Sequence, residues 1–317
     1  DNRKPQIVLS SLSSPLYSFR SIYNFPVFRY PAFSGVPHFP PSPMNSSGRP
    51  DKEPIMPARP ERKKSQNHST PKSKTKHPIR VVPLHPVVRD ASAAAPVLTY
   101  RNGPLLTNVE VFTVFWGAAW QDAANAPLIK QLNDFYDFVL TSALLDQLDE
   151  YSVPGKKIGH GVLTGTATVT NSEPGKTVDD STIQSMLQTE ISAGTLPASN
   201  ANSLYFVYLP PGTQVTSNGS ASCKDFCGYH DATSSGIYYA VMPYPGCTGC
   251  QGGLATLDSL TSTSSHELCE AITDPIPGQG WYDDNNGEIG DICAWKTKKL
   301  GAYTVQLEWS NAANSCI

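Results

Sequence analysis

Residues 261–275 read TSTSSHELCEAITDP and set His266, Glu267 and Glu270 in the order H-E-x-x-E. On a helix, positions four apart share a face, so His266 and Glu270 can ligate one cation together. Glu267 is rotated by about 100° from His266. In H-E-x-x-H sites that position holds the base that activates a metal-bound water. Further along, GWYDDNNGEIGDICAW supplies Glu288 and, three residues on, Asp291.

This layout is similar to the thermolysin type of zinc peptidase, in which a helix gives two ligands and a later glutamate the third. By that analogy His266, Glu270 and Glu288 bind the metal, Asp291 orients His266, and Glu267 is the general base. The sequence leaves the roles of Glu288 and Asp291 interchangeable. One neutral imidazole and two carboxylates make a Zn²⁺ site formally neutral, so bound water is acidified less than in a His₂Glu site. The oxygen-rich set also suits Mn²⁺ or Ca²⁺. The competing reading is plain: Ser264-x-x-Glu267 is a capping-box pattern, which would put Glu267 at a helix start. DDNNGE, residues 283–288, could chelate Ca²⁺ or be an ordinary acidic turn.

The elements that must carry these residues begin near Val97. NVEVFTVFWG (108–117) reads as a buried strand, and 126–148 reads as an amphipathic helix with Pro127 in its first turn. Strands are expected at 159–169, 203–210, 236–244 and in YTVQLEWSN near the C-terminus. A helix capped near Asp180 and stopped at Gly194 lies between them. The H-E-x-x-E helix is expected over 260–273, ended by Asp274-Pro275. The expected fold is a single α+β, zincin-like domain over 96–317 with a mixed sheet and a metal-binding helix.

Residues 1–95 differ in kind. The first 90 hold 15 of the 24 Lys+Arg and 5 of the 27 Asp+Glu, a charge of +10 against −13 for the rest, and 17 of the 28 prolines precede residue 100. Such a segment buries too little apolar surface to offset its ordering entropy, so it reads as a disordered Pro-rich leader, a pro-segment with a processing site at ERKK (61–64), or a wall-associated tail. It lacks the aromatic and glycine spacing of a nucleic-acid module.

All seven cysteines lie between Cys223 and Cys316. Cys223, Cys227, Cys247 and Cys250 have the spacing of a four-thiolate zinc site, but disulfides are the expectation, paired Cys223–Cys227, Cys247–Cys250 and Cys293–Cys316. Cys269 is then a buried thiol, with a catalytic Cys269 paired to His230 or His266 as the alternative. His230, in CGYHD, is a candidate fourth ligand or catalytic oxyanion stabiliser, with Tyr229 and Tyr282 behind it. Trp281, Trp295 and Trp309 read as core. Sequons at Asn45, Asn67 and Asn218, the crowded cysteines and a start at Asp1, read as a leader already removed, point to a secreted glycoprotein with no membrane span.

In order along the chain, NVEVFTVFWG, NSLYFVYLPPGTQV, FCGYH, YYAVMPYPGCTGC, SHELCEAITDP, GWYDD, GEIGDIC and VQLEWSN resemble the EXORDIUM-like, or phosphate-induced, proteins, and their uncharacterised microbial relatives more closely still. The resemblance spans roughly 97–317. Plant members have Ala-Glu where this chain has Cys269-Glu270, and T-N-P at 273–275. It implies an extracellular or cell-wall protein linked to growth, with no established reaction. The expected function is a secreted, monomeric zinc hydrolase, a peptidase or an enzyme acting on a cell-wall polymer. The alternatives are a non-catalytic signalling or wall-binding protein with a structural metal, and a Ca²⁺-stabilised carbohydrate-binding module.

Overall fold

The computed structural model describes residues 81–83, as backbone, and 95–317. The expected disorder of the leader, and the sequons at Asn45 and Asn67, fall almost wholly outside these residues. The main sheet has six strands: β1 (Val81–Pro83), β2 (Glu110–Trp116), β3 (Val162–Val169), β4 (Ser203–Tyr208), β5 (Phe226–Ala232) and β6 (Tyr238–Met242). Their spatial order is β1-β5-β6-β4-β2-β3. β6, β4, β2 and β3 run parallel, while β5 is antiparallel to both β6 and β1. Val81–Pro83 was expected to belong to the leader; it forms the sheet edge instead.

Five α-helices are described: α1 (Ala126–Val139), α2 (Ala143–Gln147), α3 (Asp180–Ala193), α4 (Thr248–Gln251) and α5 (Thr256–Thr273). The single helix expected over 126–148 breaks after Val139, and Ser142 caps the second piece by accepting from Leu144 N. α3 matches its expected ends: Asp179 caps it and Gly194 closes it in the left-handed region.

β4 is buried at every position, as a central strand covered on both faces must be. Leu204, Phe206 and Tyr208 point with Ala240 and Met242 into one apolar layer with α1, α2 and α5. Tyr205 and Val207 point with Tyr239 and Val241 into the other, against α3. Beyond the sheet, β7 (Thr297–Leu300) and β8 (Tyr303–Gln306) form a hairpin packed on α5. The last expected strand is thus interrupted after Gln306, and Trp309–Ser310 pairs separately with Ser315–Cys316.

α5 is buried along almost its whole length although Ser and Thr crowd it. The hydroxyls are bonded. Thr261 donates to Thr304 O at 2.7 Å, Ser259 to Cys250 O at 2.7 Å, and Ser265 accepts from Gln306 N at 2.9 Å. Ser264, Tyr208 and Tyr136 form a chain of hydroxyl contacts at 2.8 and 2.9 Å across the layer. Small side chains let backbone come close on both sides, and each bonded hydroxyl avoids the ~1–3 kcal/mol cost of a buried orphan. Because α5 starts at Thr256, Ser264 and Glu267 lie in mid-helix, which removes the capping-box reading.

The disulfides are Cys223–Cys247, Cys227–Cys250 and Cys293–Cys316. The expected local pairs Cys223–Cys227 and Cys247–Cys250 do not form: the approach to β5 and the region of α4 lie side by side, so bonds cross between them. These sulfurs are consumed, which corrects the four-thiolate zinc alternative. Three disulfides fit an oxidising, extracellular setting. Among the described residues no helix is long and apolar enough to cross a membrane. The sequon at Asn218 sits exposed in a tight turn between Ser217 and Ser220.

Candidate metal centre

α5 turns His266, Glu267 and Glu270 toward β5 and the loop 283–294, and β5 offers His230 from the face it shares with Ala240. All four, and Glu288, are at most 1% exposed. Two glycines make the approach possible. A Cβ on Gly290 would lie 2.8 Å from Nδ1 of His266, and one on Gly228 would lie 2.7 Å from Thr263 on α5.

The ligating atoms fall into two clusters that share a residue. His266, Glu267 and Glu270 form one; His230, Glu270 and Glu288 form the other, with all three atoms of each set within 4.8 Å. The helical pair expected from the sequence is present, with His266 Nε2 3.0 Å from Glu270 Oε1. The third carboxylate is redistributed. Glu288 groups with His230 and Glu270, not with His266, and its Oε1 lies 3.5 Å from His230 Nε2.

Asp291 does not hold the place expected of a ligand or an orienter of His266. Its side chain accepts from Glu288 N at 3.2 Å and its backbone N donates to Glu270 Oε1 at 3.0 Å, so it shapes the loop that delivers Glu288. The orienter is Gln306, which the sequence reading passed over. Its Nε2 donates to Gly290 O at 2.9 Å, which fixes Oε1 as the acceptor facing His266 Nδ1 at 3.0 Å. His266 therefore carries its proton on Nδ1 and turns Nε2 to Glu270.

Glu270 Oε1, 3.0 Å from Nε2, is a charged contact that favours the imidazolium when no cation is bound. A nitrogen and an oxygen bound cis to one cation at about 2.1 Å each are about 3.0 Å apart, so the spacing is as compatible with two ligands of one ion as with an ion pair. Glu267 Oε1 is buried without a hydrogen bond, whereas Glu288 lies against the Asp274 carboxyl, with burial raising both groups so that they share a proton. A buried polar atom without a partner is rare and costly.

His230 is held from behind. Asp274 ends α5, and its carbonyl, which can only accept, lies 3.1 Å from His230 Nε2. Nδ1 then faces Glu267 Oε2 at 3.1 Å and Glu270 Oε2 at 3.5 Å. The Asp274 carboxylate ties down the following loop by accepting from Gly278, Gln279 and Gly280.

The electrostatics follow from burial among like charges. Burial, with Glu270 and Asp274 nearby, pushes Glu288 well above the ordinary carboxyl value, and burial raises Glu267. Burial opposes charge on Glu270 too, but His266 and His230 outweigh it and bring Glu270 down to about 2. Burial disfavours both imidazolium ions, yet Glu288, Glu267 and Glu270 hold His230 well above its usual range, and Glu270 does the same for His266. Without a cation the cluster is a proton trap. Glu308, fully buried with both oxygens unbonded, adds to the acidity around His266 and was also missed. A signal was there: Thr304, Gln306 and Glu308 alternate through YTVQLEWSN, a polar face on a stretch that is otherwise strand-like.

The remaining candidates lie elsewhere. Tyr229 donates to Asp180 on the opposite face of the sheet at 2.7 Å, so it cannot stabilise an oxyanion here. Tyr282 packs under Arg101 and pairs with Thr99. Cys269 is a free, buried thiol held well above its ordinary pKa by burial, which makes it a poor nucleophile. Asp283 spends its oxygens on the amides of Val97, Asn285 and Asn286, so DDNNGE is a self-bonded turn. Trp309 belongs to the core, Trp281 packs against it, and Trp295 covers the paired disulfides of β5 and α4.

Compared with protein-family models, with curated proteins and with solved structures, the chain finds a match in none of the three.

Proposed function

We propose that the chain is a secreted, metal-dependent hydrolase of zincin-like design, related to the EXORDIUM-like proteins, with a peptide or wall polymer as substrate. The observation that carries this reading is the buried cluster of His266, Glu267 and Glu270, with His266 Nε2 3.0 Å from Glu270 Oε1 while Gln306 holds the opposite ring nitrogen. His266 and Glu270 would hold the ion, and a mixed imidazole and carboxylate set accommodates Zn²⁺ or Mn²⁺. A bound divalent cation supplies Lewis acidity, lowering the pKa of water and polarising a scissile carbonyl. Glu267 presents the unbonded Oε1 beside that ligand pair and takes up the proton there. Gln306 keeps His266 in the ligating tautomer, and Asp291 braces Glu288 and Glu270 from the loop.

A second reading is favoured by one observation: every side chain of the centre is at most 1% exposed. In that reading the cation is structural, and the protein is a non-catalytic extracellular signalling or wall-binding protein. Metal analysis of the purified full chain together with cleavage of a peptide library separates the two. The expected result is bound metal, turnover abolished by chelation, and a fall of about 100-fold or more in Glu267→Gln with metal content unchanged. Metal without turnover establishes the second reading, and absence of metal refutes both.

A further inference from the structure

The two bridges that join the approach to β5 with α4 lie against one another. Cys250 Sγ falls within 4.8 Å of both sulfurs of the neighbouring bridge, Cys223–Cys247. Exposure separates the two. Cys223 and Cys247 are partly open to solvent, whereas Cys227 and Cys250 are 4% and 3% exposed. The outer bridge also closes on a strained backbone: Cys223 has a φ of 62°, the left-handed region that residues other than Gly, Asn and Asp seldom adopt. Such a residue persists only while its surroundings hold it, and the bond to Cys247 is one of the holds. Trp295 packs on the bridges, and its backbone N lies 3.4 Å from Gln306 Oε1, so the knot also abuts the residue that orients His266.

We infer that the two bridges form a redox relay, in which a reducing dithiol opens the outer bridge and the inner one then exchanges through Cys250. In the first step the dithiol is oxidised to its own disulfide, and Cys223 and Cys247 each become thiols. In the second, the Cys247 thiolate bonds to Cys250 Sγ and the Cys227–Cys250 bond breaks. Cys227 leaves with the electron pair and takes up the proton that Cys247 released, so no electrons enter or leave at this stage. Such exchange needs a thiolate within reach of a disulfide sulfur, and the spacing supplies one. Cys247 is the attacking group because it shares the segment Cys247-x-x-Cys250 and stays beside its target, whereas Cys223 moves off as its backbone relaxes. The buried bridge is thus reached from within the protein, where an external reductant has little access. The product is a local Cys247–Cys250 bridge with Cys223 and Cys227 free. One reducing event therefore unfastens both ties between α4 and the strand that carries His230.

The relay is independent of the proposed metal centre. To test it, the full chain with its bridges intact is treated with a limiting amount of dithiothreitol and quenched in acid. It is then unfolded, labelled with N-ethylmaleimide and mapped by peptide mass spectrometry without further reduction. Beside the free Cys269, which labels throughout, the expected result is label on Cys223 and Cys227 with Cys247 and Cys250 joined. The paired variant Cys223→Ser, Cys247→Ser lacks the attacking thiol, so label on Cys227 should be lost under the same treatment. Label on Cys223 and Cys247 with Cys227–Cys250 kept shows two independent bridges and overturns the relay. So does any other pattern among these four cysteines, or label on Cys227 in the serine variant.

Discussion

Replacing Gln306 by leucine should weaken metal binding without altering a single ligand. Gln306 Oε1 faces His266 Nδ1 at 3.0 Å, and its Nε2 donates to Gly290 O at 2.9 Å. Leucine removes both contacts and a longer one from Trp295 N at 3.4 Å. It leaves the imidazole N–H and the Gly290 carbonyl unsatisfied, at roughly 1–3 kcal/mol for each stranded group. It also frees His266 to carry its proton on Nε2, the nitrogen aimed at Glu270. Loss of such an orienting partner costs about 10–100-fold in metal affinity, or about 1.4–2.8 kcal/mol. Competition for Zn²⁺ against a chromophoric chelator measures this directly. Gln306→Glu, which keeps an acceptor for Nδ1, is the companion variant and should stay within a few fold of the parent. If the leucine variant binds Zn²⁺ within about threefold of the parent, or if the two variants lose affinity equally, the tautomer argument fails, whatever happens to stability.

Two further outcomes follow from the geometry. Breaking Cys293–Cys316 with paired serines frees a loop spanning a sequence separation of 23, worth about 3 kcal/mol by chain entropy; the melting temperature should fall by roughly 6–12 °C, and an unchanged value would refute the estimate. In chelated protein, His230 and His266 lie above 6.5 and Glu267 and Glu288 above 4.5, so over this range those groups bind more protons folded than unfolded. Their contribution to stability therefore declines as pH rises from about 4.5 through the elevated values, while Glu270, lowered to about 2, loses its own contribution only as pH falls below 4.5. Urea midpoints at pH 5 and 8.5 check the sign: the apo midpoint should be lower at 8.5, and a higher one contradicts the assignment.

What could be read from the chain alone was mostly local. α3 declares itself by Asp179 and Gly194 at its ends, β2 and β4 by unbroken β-branched and aromatic runs, and α5 by its termination at Asp274-Pro275. The His266–Glu270 pair follows from helical spacing. The rest depends on contacts between distant segments. His230 faces α5 only because β5 runs antiparallel beside β6, a fact of sheet order that periodicity does not carry. Glu288 goes to His230 because Asp291 and Gly290 fix the path of their loop against the helix. The disulfide pairs are illegible for the same reason: Cys223 and Cys227 are neighbours in sequence, but the approach to β5 lies beside α4, so the bonds cross between the two segments.

The edge strand β1 gives the basic leader a structural stake in the centre. Val81–Pro83 pairs with Phe226 and Tyr229 on the strand that carries His230. A protease cutting ahead of residue 81 leaves that pairing intact. A cut behind Pro83 severs the strand's covalent link to the rest of the sheet and turns its pairing with β5 into one between separate chains. Its departure would bare a row of amides and carbonyls next to the buried carboxylates, a berth that another extended chain fits.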